Sequence, residues 1–308
     1  MATLDNPVTG AVRRKLIPRP AGAPMVDEDA LEVHRDHHFR RIPGRRVKDE
    51  GMALRFINET GFCSAFTAGL GLPCLREAIE GRREPELPHH IQHDRAIMMT
   101  WNLKDVLPAR RAVYYGKVLA GRPSFIALEL LPCFLRLRLT SEGYQKLYQC
   151  GMLSHCAKLV MDVLTRRGPS ETKALKLTTG YAQPKMRFEF DRAMKELQEK
   201  FLALKVEERY DPFTYVWDTV EHRWAEATRT ARSLKAPHAA YTIVRRYYEI
   251  AGYGNEGAVA RVLGLAPALV ASAARKLETE QIVCRGIRVA EHREALTLLS
   301  KFLFLVKL

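Results

Sequence analysis

The chain has no apolar run of the roughly 18 residues that a membrane-spanning helix needs, and its N-terminus has no apolar core for a signal peptide. It is therefore expected in the cytoplasm, with no membrane span. Cysteine is scarce, and none of the six is arranged as Cys-x-x-Cys, so neither a disulfide framework nor a zinc knuckle is expected. Cys63, Cys74, Cys133, Cys150, Cys156 and Cys284 lie mostly in apolar contexts and read as buried thiols. A glycine-rich phosphate loop, a His-Glu-x-x-His pair and a Gly-x-Ser-x-Gly elbow are all missing, and no cofactor is expected. Acidic residues fall well short of basic ones, 35 against 49, which leaves a formal charge of +14.

At 308 residues, 47% hydrophobic and 27% charged, the chain is that of an ordinary folded protein with room for two or three small domains. The positive excess is spread along the whole sequence rather than held in a tail. A basic fold raises the local concentration of polyanions, so nucleic acid leads the expected partners, ahead of an anionic membrane surface.

Residues 1–26 are rich in Pro and Gly, carry Arg13-Arg14-Lys15 and read as a flexible basic arm. Residues 27–150 read as an α-helical N-terminal domain, with helices at about 27–38, 48–60, 73–81, 90–100, 108–120, 123–137 and 141–150 and no convincing alternating strand. After Gly151 the pattern changes. A helix over 153–166 stops at Gly168-Pro169, and Ser170 can cap a short helix that ends near Gly180. Pro184 suits the first turn of a third helix, along which Met186, Phe190, Ala193, Leu197 and Phe201 repeat at helical spacing. The alternating runs Leu202/Leu204/Val206 and Phe213/Tyr215/Trp217, joined by Glu207 to Pro212, then predict a hairpin. Three helices and a hairpin make a winged helix.

A fainter copy follows: a helix over 238–251, Asn255 capping a helix that ends at Gly264, Pro267 opening another to Glu278, and a short hairpin over Gln281 to Val289. Between the copies, Asp218-Thr219-Val220-Glu221 has the form of a capping box. The apolar tail from Ala295 is expected to dock on the body. The expected fold is mainly α with small β-hairpins: tandem winged-helix units at 151–235 and 236–308 behind the helical domain.

The third helix of the first unit leaves Lys185, Arg187, Phe188, Arg192 and Lys195 outside its core stripe, which suits a helix laid against DNA with phosphate contacts at its edges. Glu189, Glu196 and Glu199 work against this, since carboxylates repel phosphates, and Glu196–Lys200 could instead be a solvated pair. Two histidine sets, His34/His37/His38 and His89/His90/His93, have helical spacing for two metal ligands each. Their polar, Arg-rich surroundings and the lack of a third ligand favour surface histidines, and no metal is expected.

The segment Ala53 to Phe66, with Leu72-Pro73-Cys74-Leu75, His93-Asp94, Trp101, Leu107 to Lys117, Phe125 to Phe134, Arg187-Phe188, Phe190 to Ala193, Glu196-Leu197-Gln198 and Tyr215-Val216-Trp217-Asp218, resembles the AlkZ/YcaQ-like winged-helix family, in its AlkZ-related branch. The resemblance implies tandem winged helices cradling double-stranded DNA, with Arg209 on the wing and Arg110-Arg111 as further contacts. In the characterised branches it implies a DNA glycosylase for alkylated or crosslinked bases, with a Gln-x-Gln or Gln-x-Asp motif that positions water. The register places that motif on Gly61 to Phe66, where no glutamine stands; the first in the chain is Gln92. Asn58 and Glu59, polar residues between apolar runs, are the candidate catalytic substitutes, and the other reading makes them a helix end. The expected function is duplex or lesion recognition in genome maintenance, with a transcriptional regulator as the alternative and the oligomeric state open.

Overall fold

The structure is a computed structural model that describes residues 25–86, 91–139, 143–288 and 294–307. The expected arm lies outside the described residues except for its last two positions. Those form β1 (Met25–Val26), which leads into α1 (Glu28–His38), where the Asp27 carboxylate accepts from the Ala30 N–H. Asp49 caps α2 (Glu50–Thr60) in the same way, and the helix stops at Gly61, where φ is +81°. Next come β2 (Phe62–Ser64), α3 (Leu75–Glu80) and α4 (Arg95–Ala109), the last capped by Asp94. They are followed by β3 (Val113–Leu119), β4 (Arg122–Ala127), α5 (Leu131–Arg138) and α6 (Gly143–Gln149).

Two of the expected helices are therefore wrong. The stretch 108–120 is mostly β3, and the first part of 123–137 is β4. With β2 they make an antiparallel sheet in the order β2-β4-β3, in which Phe125 faces Cys63 on one side and Tyr115 on the other. The sheet is covered on both faces: Phe62, Tyr114 and Ile126 enter one core, while Cys63, Val113, Tyr115, Phe125 and Ala127 enter another. A strand buried on both sides loses the apolar/polar alternation that would mark it in the sequence. The helix expected at 90–100 also runs on to Ala109.

The unit after Gly151 follows expectation closely. Ser154 caps α7 (His155–Arg167), then come β5 (Ser170–Glu171), α8 (Thr172–Thr179), a 3-10 turn at Pro184–Met186 and α9 (Arg187–Glu199). Ser170 does not cap α8: its hydroxyl donates to the Gly168 carbonyl instead. The hairpin is β6 (Ala203–Tyr210) and β7 (Phe213–Thr219), so Glu207 to Tyr210 belong to the strand and only Asp211-Pro212 turn. Sheet order is β5-β7-β6.

Thr219 accepts from the His222 N–H and starts α10 (Val220–Arg223), followed by α11 (Ala225–Ser233) and α12 (Ala236–Ala251). The second unit has β8 (Tyr253–Gly254), α13 (Glu256–Leu263) with its Asn255 cap, and α14 (Pro267–Thr279). Its strand β9 (Val283–Ile287) pairs with β10 (Leu296–Leu299), well past the expected end at Val289. A 3-10 stretch, Ser300–Leu305, leads to β11 (Val306–Lys307), which pairs with β1 and ties the tail to the body as expected.

The central core joins α5, α12, the second unit and one face of the first sheet, with Tyr114, Phe134 and Phe201 buried together. Each such ring is worth about 1.5–3 kcal/mol in burial. Of the cysteines, Cys63, Cys74, Cys133 and Cys156 are buried as expected, whereas Cys150 is exposed at the end of a polar helix. No helix among the described residues is long and apolar enough to cross a membrane.

Candidate nucleic-acid interface

Helix α9 is one-sided. Phe190, Ala193, Met194, Leu197 and Gln198 are buried, and Lys185, Arg187, Phe188, Arg192 and Lys195 are all exposed, Phe188 at 80%. Steps of four and three residues bring Phe188, Arg192 and Lys195 onto one stripe of α9, and Lys185 lies in the 3-10 turn just before it. Arg187 lies beside it and pairs with Asp191 at 3.5 Å, as Lys195 does with Glu199. Lys185 and Arg192 form no ion pair among the described residues.

The acidic residues that counted against this helix are largely engaged elsewhere. Glu189 accepts from the Tyr181 hydroxyl at 2.8 Å, and Glu196 accepts from the Ser154 N–H rather than pairing with Lys200.

The stripe continues onto a neighbour that the sequence did not bring to it. Gly121, at the β3–β4 turn, lies against the end of α9: a Cβ there would stand 2.5 Å from Glu199 Oε1 and 3.4 Å from Lys195 Cε. The adjacent Ala120 N–H donates to the Val262 carbonyl of α13 at 2.9 Å. This turn thus touches both helix–hairpin units; exposed Arg122 follows it directly, and exposed Arg261 is the neighbour of the Val262 that it meets. Only the Gly121-Arg122-Pro123 break hinted at the turn.

Arg209, Arg110 and Arg111 do not join that stripe. Arg209 is held by Glu207 and Glu171, which raises the pKa of its guanidinium and neutralises its charge locally. Arg110 pairs with Glu50, and exposed Arg111 follows it with φ +56°. Arg209 and Ala109 line a second groove of about 440 Å³ together with Arg223.

Asn58 and Glu59 end α2 in an arginine-built corner. Arg246 of α12 donates to the Glu59 and Asn58 carbonyls at 3.0 and 3.4 Å and to Glu129 at 3.0 Å, so it satisfies orphan carbonyls of the last turn. The Glu59 side chain, 60% exposed, pairs with Arg40 at 2.7 Å. Gly61 has no room for a side chain, since a Cβ would fall 2.6 Å from Leu130 Cδ1. The following Phe62, Cys63 and Ser64 are fully buried, and burial pushes the Cys63 thiol well up. An exposed carboxylate in an ion pair, ahead of a dry strand, has the geometry of a helix end. Glu59→Gln keeps an oxygen for the buried Arg40 guanidinium, so it is expected to change unfolding free energy by no more than about 1.5–3 kcal/mol, the range for a hydrogen bond to a charged group. Chemical denaturation checks this, and a larger loss would give the carboxylate a structural role that its exposure does not suggest.

His34 and His38 touch, with ring centroids 4.2 Å apart, and His37 lies 5.4 Å from His38. His34 Nε2 is 3.2 Å from the Glu249 carbonyl. His89 and His90 lie outside the described residues, and His93 is exposed. Among the described residues no group of three candidate ligands is placed to hold a metal ion. Burial, then the charges of His38 and Lys301, hold His34 down at about 4 against an ordinary 6.5, and burial also lowers His38. The unfolded chain therefore takes up these protons first as pH falls, and stability is lost between about 6.5 and about 4. Denaturation midpoints should drop across that window and drop less in His34→Gln; parallel curves would exclude the histidine as the cause.

The fold was compared with known proteins. Among solved structures it is similar to the Streptomyces sahachiroi DNA glycosylase AlkZ, with a TM-score of 0.53 and 11% identity over 88% of this chain and 70% of that one. No curated protein matches it. The model of a family described as AlkZ related matches residues 47–264, well over half of the sequence. The chain belongs to the AlkZ-related family.

Proposed function

We propose that the protein binds double-stranded DNA and serves in recognition of damaged or unusual duplexes in genome maintenance. In this reading the units at 151–235 and 236–308 act as tandem winged helices behind the helical domain at 27–150. The observation that carries it is the α9 stripe with the turn before it, where Lys185 and Arg192 form no ion pair among the described residues and Phe188 is exposed, and whose Lys195 end meets the β3–β4 turn next to Arg122. Phosphate contacts from such a stripe position a duplex without reading its sequence. The described similarity to a DNA glycosylase supports the same class of partner.

The experiment is a duplex titration by fluorescence anisotropy at several salt concentrations. Six phosphate contacts give a slope of log affinity against log salt of about −5. Binding that ignores salt, or is absent at low salt, would overturn the proposal. The geometry at Asn58 and Glu59 favours binding over hydrolysis at that corner. Incubation with duplexes carrying alkylated bases tests this: release of free base by the wild type and not by Glu59→Gln would move catalysis to that carboxylate.

A further inference from the structure

A second concave feature stands apart from that face and does not depend on DNA binding. Helices α5, α6, α7 and α11 and the β7–α10 junction border an open cavity of about 640 Å³. It lies at the seam between two cores, with Met161, Leu164 and Leu202 from the 153–218 unit on one side and Leu135 and Phe201 from the central core on the other. Clefts at such seams, apolar with a few convergent polar groups, are where proteins most often hold small ligands.

The polar groups here are unusual for a mere packing defect. Asp218, 3% exposed, is the most deeply buried ionisable side chain of the wall. One of its oxygens accepts from the Thr219 N–H at 2.7 Å and the other lies 2.7 Å from His222 Nδ1. A carboxylate has about four acceptor positions, so roughly half of them are unused. The imidazole is itself 68% exposed, and the other cation that feels the Asp218 charge, Arg223, is only partly buried. Thr228 is 4% exposed and lines the same cavity, and its hydroxyl has no partner among the described residues. A native fold rarely leaves a buried hydroxyl and a half-satisfied carboxylate on the wall of one cavity unless something else completes them. The two arginines of the wall are already engaged, Arg136 with the Leu234 carbonyl at 2.6 Å and Arg232 with Glu221.

We propose that this cavity is a binding site for a compact ligand with an apolar body and a cationic or N–H-donating head, the head held by Asp218 and the Thr228 hydroxyl and the body by Leu139, Met161 and Leu202. Charge selects the head, because an anion would meet the buried Asp218 carboxylate in a poorly solvated wall. Volume selects the body, since the cavity suits a ligand of one or two rings.

Benzamidine is the probe, with neutral benzamide and anionic benzoate as comparisons, titrated into the full-length protein and followed by calorimetry and by amide chemical shifts at Thr228 and Ala231. The expected result is saturable one-site binding of benzamidine, weaker binding of benzamide and none of benzoate. Asp218→Asn should weaken benzamidine at least tenfold. His222→Ala removes an exposed ring that competes for Asp218, so it should tighten benzamidine several-fold, an effect opposite in sign to structural damage. Failure of the wild type to bind benzamidine, preference for benzoate, equal binding by Asp218→Asn, or unchanged or weaker binding by His222→Ala would each overturn the proposal. Should Asp218→Asn fail to fold, the His222→Ala result decides it alone.

Discussion

Replacement of Glu208 by alanine is expected to cost about 3–5 kcal/mol of stability, the loss that follows when one partner of a buried ion pair is removed and the other is left unpaired. The Glu208 side chain is 2% exposed and receives two ammonium groups on one oxygen: Lys104 Nζ at 2.6 Å, itself 4% exposed, and Lys205 Nζ. Asp105 is the only other carboxylate in the group, 2.8 Å from Lys104 and 3.5 Å from Lys205. The Tyr210 hydroxyl closes the cluster with bonds to Asp105 and Glu208 at 3.0 and 3.2 Å, and Lys104 also lies 4.5 Å from the Trp101 ring centre. Together these contacts fasten the hairpin strand β6 to α4. Burial, and then the charge of Lys104, lower Lys205 to about 7, so its ammonium is already the costly member and would lose its main acceptor. A urea titration should show a lower midpoint with an unchanged slope. The double variant Lys205→Met/Glu208→Leu keeps the Lys104–Asp105 pair and replaces the rest with apolar groups, so it should recover most of the loss. A Glu208→Ala cost below about 1 kcal/mol, the range of exposed pairs, would mean that water reaches the cluster.

Much of the helical framework was legible because its cues are local. The Asn255 cap bonds an N–H three residues on, and the apolar stripe of α9 needs only its own sequence; the capping box at Asp218 lies one residue before the true cap, Thr219. The β2-β4-β3 sheet was not legible, because Val113-Tyr114-Tyr115 and Phe125-Ile126-Ala127 are buried on both faces and so show no period of two. The α9 cations could be read from their spacing. The approach of Arg122 and Arg261 could not, since it rests on the β3–β4 turn docking between α9 and α13. A position on the wing or in a family motif marks Arg209 and Arg110 in the sequence, but says nothing of the carboxylates that fold onto them. Asp218 stood in the capping-box pattern, but the cavity that it borders is made by helices up to about eighty residues away in the chain.

Charge reversal at Arg192 is expected to weaken duplex binding about tenfold at low salt, or ~1.4 kcal/mol, with the salt slope falling by at least about one. Arg192 sits mid-stripe with no ion pair among the described residues, so the full effect of its charge is available to a phosphate. Arg209→Glu is the comparison that makes the test sharp. Its guanidinium is shared between Glu207 and Glu171, so little of its charge is free to attract DNA, and reversal there should weaken binding much less. Phe188→Ala separates a third contribution. An exposed ring between two cations can stack on or wedge between bases, a contact that releases no counterions. Its loss should therefore reduce affinity at every salt concentration without altering the slope. Equal penalties for Arg192→Glu and Arg209→Glu would mean that the duplex feels only the net charge of +14 and not the stripe. A penalty confined to Arg209→Glu would instead move the DNA path to the groove beside Ala109 and Arg223, on the hairpin's other border.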